Sequence, residues 1–210
     1  MSAFTLDITG QLNNMRLSES KSLWPLFEAI VNAIQAIEDS DNANKGQISI
    51  FAKREDLPQE AIFSKAQLGK FESFVITDNG IGMNNENYKS FNTAYSTFKI
   101  KKGCKGIGRF VWLKAFKHVK VESIFCEDKQ FYARSFIFSP DGIEPESNTT
   151  ITDEHITKTI ITLDGFLPKY KNAAPIELDT VAKKSLNIVC RFLFLANARR
   201  LFFMMEFQTI

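Results

Sequence analysis

Cysteine and histidine are scarce in this chain of 210 residues: Cys104, Cys126, Cys190, His118 and His155 are all it has. The cysteines are odd in number and widely spaced, and no C-x-x-C pair occurs. That pattern argues against a zinc site and fits reduced thiols in a cytoplasmic protein. The N-terminus, Met1 to Gly10, has no basic region followed by an apolar run, so no secretory signal is expected. A long apolar run is missing as well. The most apolar stretch, Leu186 to Phe207, is broken by Arg191, Asn197, Arg199 and Arg200, too much charge for a membrane span. An excess of either charge sign is also lacking. The formal net charge of +2 gives no electrostatic case for or against a nucleic-acid partner. Internal repeats and low-complexity segments are absent.

What is present is material for a core. Hydrophobic residues make up 44% of the chain and charged residues 24%, which is the balance of an ordinary globular domain. A chain this long buries a substantial core without disulfides or structural metal, and its 20 Phe favour a packed domain over a disordered one.

Hydrophobic period and turn chemistry predict the elements. Phe4 to Ile8 reads as a short strand. Leu17 to about Glu38 reads as a helix, with Ser18 or Ser20 as cap and Pro25 tolerable in its first turns or at a break. DSDNANKG, 39 to 46, ends that helix. Strands are predicted at Gln47 to Lys53 and Glu72 to Thr77, separated by a polar excursion over Glu55 to Lys70. Asn84 to Gly103 reads as a helix fragment and a mobile loop, and Gly106 to Lys117 as a helix. His118 to Phe125 and Gln130 to Phe138 read as strands joined by a turn at Glu127-Asp128. Ser139 to Asn148 reads as a loop, Thr157 to Leu163 as a strand, and Thr180 to about Ala196 as a last helix. The order predicts an α+β fold: a two-layer sandwich of a mixed, mostly antiparallel sheet with helices on one face.

Three elements carry chemistry. Glu28-x-x-x-Asn32 places two polar groups about 40° apart around a helix, on one face, with Gln35 beside them. Leu23, Trp24, Phe27, Ile30, Val31, Ile34 and Ile37 lie on the opposite arc. Next, Asp78-Asn79-Gly80-Ile81-Gly82-Met83 follows an apolar strand. Its glycines let backbone approach a ligand or adopt positive φ, and its Asp can accept a hydrogen bond from an amino group. Last, Gly103-x-x-Gly106-x-Gly108 opens a helix, which makes an anion site from backbone N–H groups. Lys99, Lys101, Lys102, Lys105 and Arg109 add positive charge. The glycines follow no strand, and no Gly-Lys-Ser/Thr closes them, so neither a dinucleotide fold nor a Walker loop fits.

In this order the three elements resemble the GHKL class of ATPases, the Bergerat fold. Its members include gyrase B subunits, the ninety-kilodalton heat-shock chaperones, MutL, MORC proteins and histidine kinases. Glu28/Asn32 looks like the N box and DNGIGM (78 to 83) like the first glycine box. KGCKGIGRF (102 to 110) is similar to the second glycine box, at the end of an ATP lid. TIITLDGF (159 to 166) resembles the last strand of the pocket. The resemblance covers roughly residues 15 to 170.

The resemblance implies ATP or ADP with Mg²⁺ as ligands. It implies Asn32 as the metal ligand and Glu28 as the general base for the attacking water. It makes Asp78 the partner of the adenine amino group, with Gly80, Gly82 and Met83 lining the base pocket and Gln35 near it. It further implies Lys105, Gly106, Ile107 and Gly108 as phosphate contacts, Asn92 to Lys102 as the lid, and Thr159, or Thr157, beside the adenine. In related hydrolases an Asp often stands three residues after the Asn, where this chain has Gln35.

The expected organisation is an ATP-binding domain over 1–170. A C-terminal helix and apolar tail would follow over 171–210. The tail would be the start of a following domain, an interface, or a buried last helix and strand. The expected function is Mg-dependent ATP binding and slow hydrolysis, working as a conformational switch that dimerises on ATP binding. DNA or protein partners would act through further domains, and no membrane is involved. Two alternatives stand beside it: a nucleotide-binding regulatory module without turnover, and a histidine-kinase ATP-binding domain.

Overall fold

The structure, a computed structural model, describes residues 7–40, 45–56, 68–93, 108–145, 148–195 and 203–209. Among these are six α-helices and eight strands. In chain order they run α1 (Ile8–Asn14), α2 (Trp24–Glu38), β1 (Gly46–Arg54), β2 (Phe71–Asp78), α3 (Asn85–Asn92) and α4 (Gly108–Ala115). Then come β3 (Phe116–Glu127), β4 (Gln130–Ser139), β5 (Gly142–Glu144), β6 (Thr149–Ile151), β7 (Lys158–Phe166), α5 (Pro168–Ala173), α6 (Leu178–Leu195) and β8 (Phe203–Thr209).

The strands form one open mixed sheet in the order β5-β4-β3-β7-β2-β1-β8, with β6 also paired to β4. Only the β1–β8 pair is parallel, among the described residues. Alternation along each strand separates two faces. Ile48, Ile50 and Ala52 of β1 are buried, Ser49 and Phe51 between them are half-buried, and the flanking Gln47 and Lys53 are exposed. Phe136 and Phe138 of β4 are buried, and Ser135 and Ile137 are exposed. Helices α2 and α4 pack on each other and on the sheet, α2 against β1 and β2 and α4 against β3. This α+β arrangement is compatible with a two-layer sandwich.

The register turns the alternation into rows that cross the sheet. Ile50, Ile76, Ile161, Val121 and Phe136 are successive partners, as are Ala52, Phe74, Leu163, Val119 and Phe138. Phe74 anchors the second row. It is wholly buried and meets Phe71, Phe116 and Phe166, and the rings of Phe116 and Phe166 stack 4.5 Å apart.

Local chemistry explains where the elements start and stop. Helix α2 begins at Trp24, not Leu17, because Pro25 sits in its first turn, where its missing N–H is no loss. A short 3₁₀ turn, Glu19–Lys21, precedes it. The β3–β4 hairpin turns through Asp128 and Lys129, both at positive φ (50° and 65°). That is one residue beyond the predicted turn and is the twist a two-residue hairpin requires. Ile8 opens a helix and does not end a strand: Ile8 and Leu12, four apart, both pack on the core. Lys114 of α4 donates to the Leu12 carbonyl at 2.7 Å and holds α1 in place. Residues 139 to 148, predicted as a loop, contain β5. The apolar C-terminal run contributes β8, the edge strand beside β1. No helix among the described residues is long and apolar enough to cross a membrane.

Truncating the ring at the centre of this core should destabilise the domain strongly. Phe74→Ala is expected to lower the unfolding free energy by about 3–5 kcal/mol, read from urea denaturation at constant m-value.

Candidate functional site

Helix α2 is the element to which the glycine motifs return. The loop after β2 presses onto it. A Cβ on Gly80 would stand 2.5 Å from the Ala36 carbonyl carbon and 2.7 Å from its Cβ, so only glycine fits. Ile81 N–H donates to the Ala36 carbonyl at 3.0 Å. Two turns earlier, α4 does the same. A Cβ on Gly108 would stand 2.5 Å from Glu28 Oε2. The Glu28 carboxylate therefore lies on the bare first residue of α4, at the positive end of that helix. Glu28 and Ala36 are eight residues apart, about 12 Å along the axis.

Burial raises the pKa of Glu28 above its ordinary value of 4.5, and a side-chain hydrogen bond from Trp24, one turn earlier, opposes that shift. Asn32 is half-buried one turn further along α2. Gln35 is completely buried, unlike its two neighbours on the polar face.

The other end of the site is a polar row set into an apolar face. Asp78, Thr159, Ser123 and Arg134 are successive register partners on β2, β7, β3 and β4. They continue the spacing of the apolar rows, and all four are buried (3%, 6%, 3% and 4% exposed). Asp78 Oδ1 accepts the Gly80 N–H at 2.9 Å. Thr159 lies directly opposite Asp78, whereas Thr157 precedes β7 and is half-buried. Asn79 is occupied with structure: its amide accepts from Gln47 N–H at 2.7 Å and donates to the Lys45 carbonyl at 2.9 Å.

Gly82 takes φ +78°, and a Cβ there would stand 2.3 Å from the Ile124 carbonyl oxygen. Met83 follows, partly buried against the core. Its N–H donates to Ser123 Oγ at 2.8 Å. Arg134 donates from Nη1 to the Met83 carbonyl (2.6 Å) and the Asn84 carbonyl (3.0 Å). It donates from Nη2 to Asn85 Oδ1 (2.6 Å) and from Nε to Thr149 Oγ1 (3.0 Å). The guanidinium also lies over the rings of Tyr88 and Phe125, at 4.4 and 4.7 Å. Burial lowers its pKa, partly offset by Tyr88 and Glu127. Asn84 caps α3 by accepting the Asn87 N–H at 2.8 Å.

Glu28, Asn32, Asp78, Gly80, Gly82, Met83, Gly108 and Thr159 are thus distributed along α2, the first residue of α4, and the end of β2 and the start of β7 with the loop that follows β2. Lys105, Gly106 and Ile107 lie outside the described residues, as does the predicted lid beyond Thr93. Ser123 and Arg134 were not singled out from the sequence. Their signal is a polar residue at an inward position of an alternating strand: Ser123 between Val121 and Phe125, and Arg134 two before Phe136. Among the described residues, no three His, Cys, Asp or Glu side chains group as metal ligands. No protein-family model and no curated protein matches the chain.

Two outcomes follow from this geometry. Gly82→Ala is strained by φ and blocked by backbone, and should destabilise the domain by more than about 1 kcal/mol in equilibrium unfolding. The raised pKa of Glu28 means that the folded chain holds this proton more tightly than the unfolded chain. Glu28 therefore weakens the fold as pH climbs from 4.5 through its raised value. Glu28→Gln should melt above the parent at pH 7, and calorimetry should show the two melting together at pH 4. A constant difference across that range would mean that folding leaves the proton affinity of Glu28 unchanged.

Proposed function

We propose that this chain is a GHKL-class, Bergerat-fold domain that binds Mg-ATP and hydrolyses it slowly. The carrying observation is that both glycine elements meet one helix: Gly80 on Ala36 and Gly108 on Glu28. An elongated ligand lying along α2 would have a base end at Asp78 and an anionic end at α4.

At the base end, the Asp78 carboxylate accepts from the adenine amino group, and Thr159 stands beside it on the next strand. Gly80 and Gly82 bring backbone close enough for Met83 to cover the ring. At the anionic end, Lys105 and the N–H groups of Gly106, Ile107 and Gly108 hold the phosphates. Glu28, desolvated and at a helix N-terminus, is the general base that takes the proton of the attacking water. Asn32, on the same face of α2, supplies an amide oxygen for Mg²⁺. That donor fits a hard cation that keeps phosphate oxygens and waters as its other ligands. Bound there, the ion would neutralise charge on the phosphoryl oxygens. Gln35, wholly buried, supports the helix beneath the ligand. The domain would serve as a switch, closing over ATP and pairing with a second copy, with DNA or protein partners engaged through other parts of a longer protein.

The test is a thermal-shift titration with Mg-ADP, Mg-ATP and a non-hydrolysable analogue. A ligand of the native state must raise the melting temperature saturably. The parent should shift and Asp78→Asn should not. Glu28→Gln should shift like the parent but release no phosphate. Binding without turnover by the parent would favour a regulatory nucleotide module. A folded parent that shifts with no nucleotide would sink both.

A further inference from the structure

Both polar groups of the Met83 backbone are held by side chains from strands outside any of the three motifs. The N–H donates to Ser123 Oγ at 2.8 Å, and the carbonyl accepts from Arg134 Nη1 at 2.6 Å. Ser123 in turn donates its only hydroxyl proton to the Lys158 carbonyl at 2.8 Å. Ser123 Oγ thus accepts from the Met83 N–H while its own proton is committed to the Lys158 carbonyl. It also stands 3.3 Å from Thr159 Oγ1, so the residue that fixes Met83 also touches the one opposite Asp78.

Other backbone groups of the loop are tied as well. Gly80 N–H is held by Asp78, Ile81 N–H by the Ala36 carbonyl, the Gly82 carbonyl by Asn87 Nδ2 at 3.3 Å, and the Asn84 carbonyl by Arg134. Arg134 is itself fixed. Asn85, which accepts from its Nη2, donates to Glu127, and the guanidinium lies over the rings of Tyr88 and Phe125.

We propose that Ser123 and Arg134 are positioning residues for the nucleotide base: together they clamp the Met83 backbone so that the base pocket is formed before ligand arrives. The clamp makes no contact with phosphate or with the attacking water. Its loss weakens binding because the loop must then be ordered at the moment of association. This rests on the nucleotide reading above.

The experiment measures Mg-ADP affinity by calorimetry and ATP hydrolysis under steady state. The chains compared are the parent, Ser123→Ala, Arg134→Lys, and a control, Val189→Ala, which truncates a buried side chain on α6. All are assayed well below their melting temperatures. Ser123→Ala should raise Kd and KM together by about tenfold, the scale of one lost hydrogen bond, with a smaller change in the rate at saturation. Arg134→Lys keeps the charge and loses the fork, so it should weaken binding at least as much. If it does not fold, Ser123→Ala alone carries the test. Val189→Ala should bind like the parent.

An unchanged Kd in Ser123→Ala, beside lost binding in Asp78→Asn, would overturn the clamp and leave the nucleotide reading intact. Equal weakening in Val189→Ala would overturn it too, by tracing the effect to general destabilisation. A parent chain that binds no nucleotide would overturn the underlying reading and the clamp with it.

Discussion

Backbone meets backbone where the loop after β2 reaches helix α2, and the geometry of the site depends on that approach. Gly80 lies so close to Ala36 that no side chain could stand between them, and the Ile81–Ala36 hydrogen bond fixes the register of the contact. The loop then has a defined start, from which Gly82 can turn at positive φ and bring Met83 over the sheet end. The same helix, two turns earlier, carries Glu28 into the first residue of α4. A helix is stiff on this scale, so the spacing between the two contacts is set by covalent geometry and not by side-chain packing.

The sheet resolves a conflict between burial and polarity. Two rows of its inner face are apolar and hold the fold together. The next row, Asp78, Thr159, Ser123 and Arg134, occupies equivalent positions and is equally buried. Burying a guanidinium without compensation is strongly unfavourable. Arg134 answers this with acceptors for Nε, Nη1 and Nη2 and with aromatic faces above its plane. Ser123 is likewise used as both donor and acceptor. The row is thus a satisfied network, which specifies one arrangement more tightly than an apolar patch would. Glu28 differs. Its desolvation is opposed by the Trp24 hydrogen bond but still raises its pKa, so ionising Glu28 costs more in the folded chain than in water.

Much of the architecture was legible from period alone. Strands β1, β2, β3, β4 and β7 and helices α2, α4 and α6 all appear close to the predicted stretches, because each has a clear two-fold or helical apolar pattern. Short or edge elements were not legible. Strands β5 and β6 have three residues each, too few to show a period, and are defined only by pairing with β4. Strand β8 lies in a run whose composition reads equally as helix, tail or strand, and its partner β1 is more than 150 positions away (Gly46 pairs Phe203). Helix α1 was hidden by its brevity and by a Phe4–Ile8 stretch of strand-like composition.

The same division holds at the site. The sequence by itself determined the chemical inventory: Glu28 and Asn32 on one helical face, Asp78 closing a strand, and glycines at 80, 82 and 108, where backbone must come close. These follow from helical pitch, strand alternation and the absence of a Cβ, all of which are local. Only the tertiary structure decided that Gly80 and Gly108 approach the same helix, that Thr159 stands opposite Asp78, and that Ser123 and Arg134 hold Met83. Those facts depend on which strands become neighbours and in what register. That choice is made by burying the apolar rows of five strands at once, and no local stretch of sequence contains it.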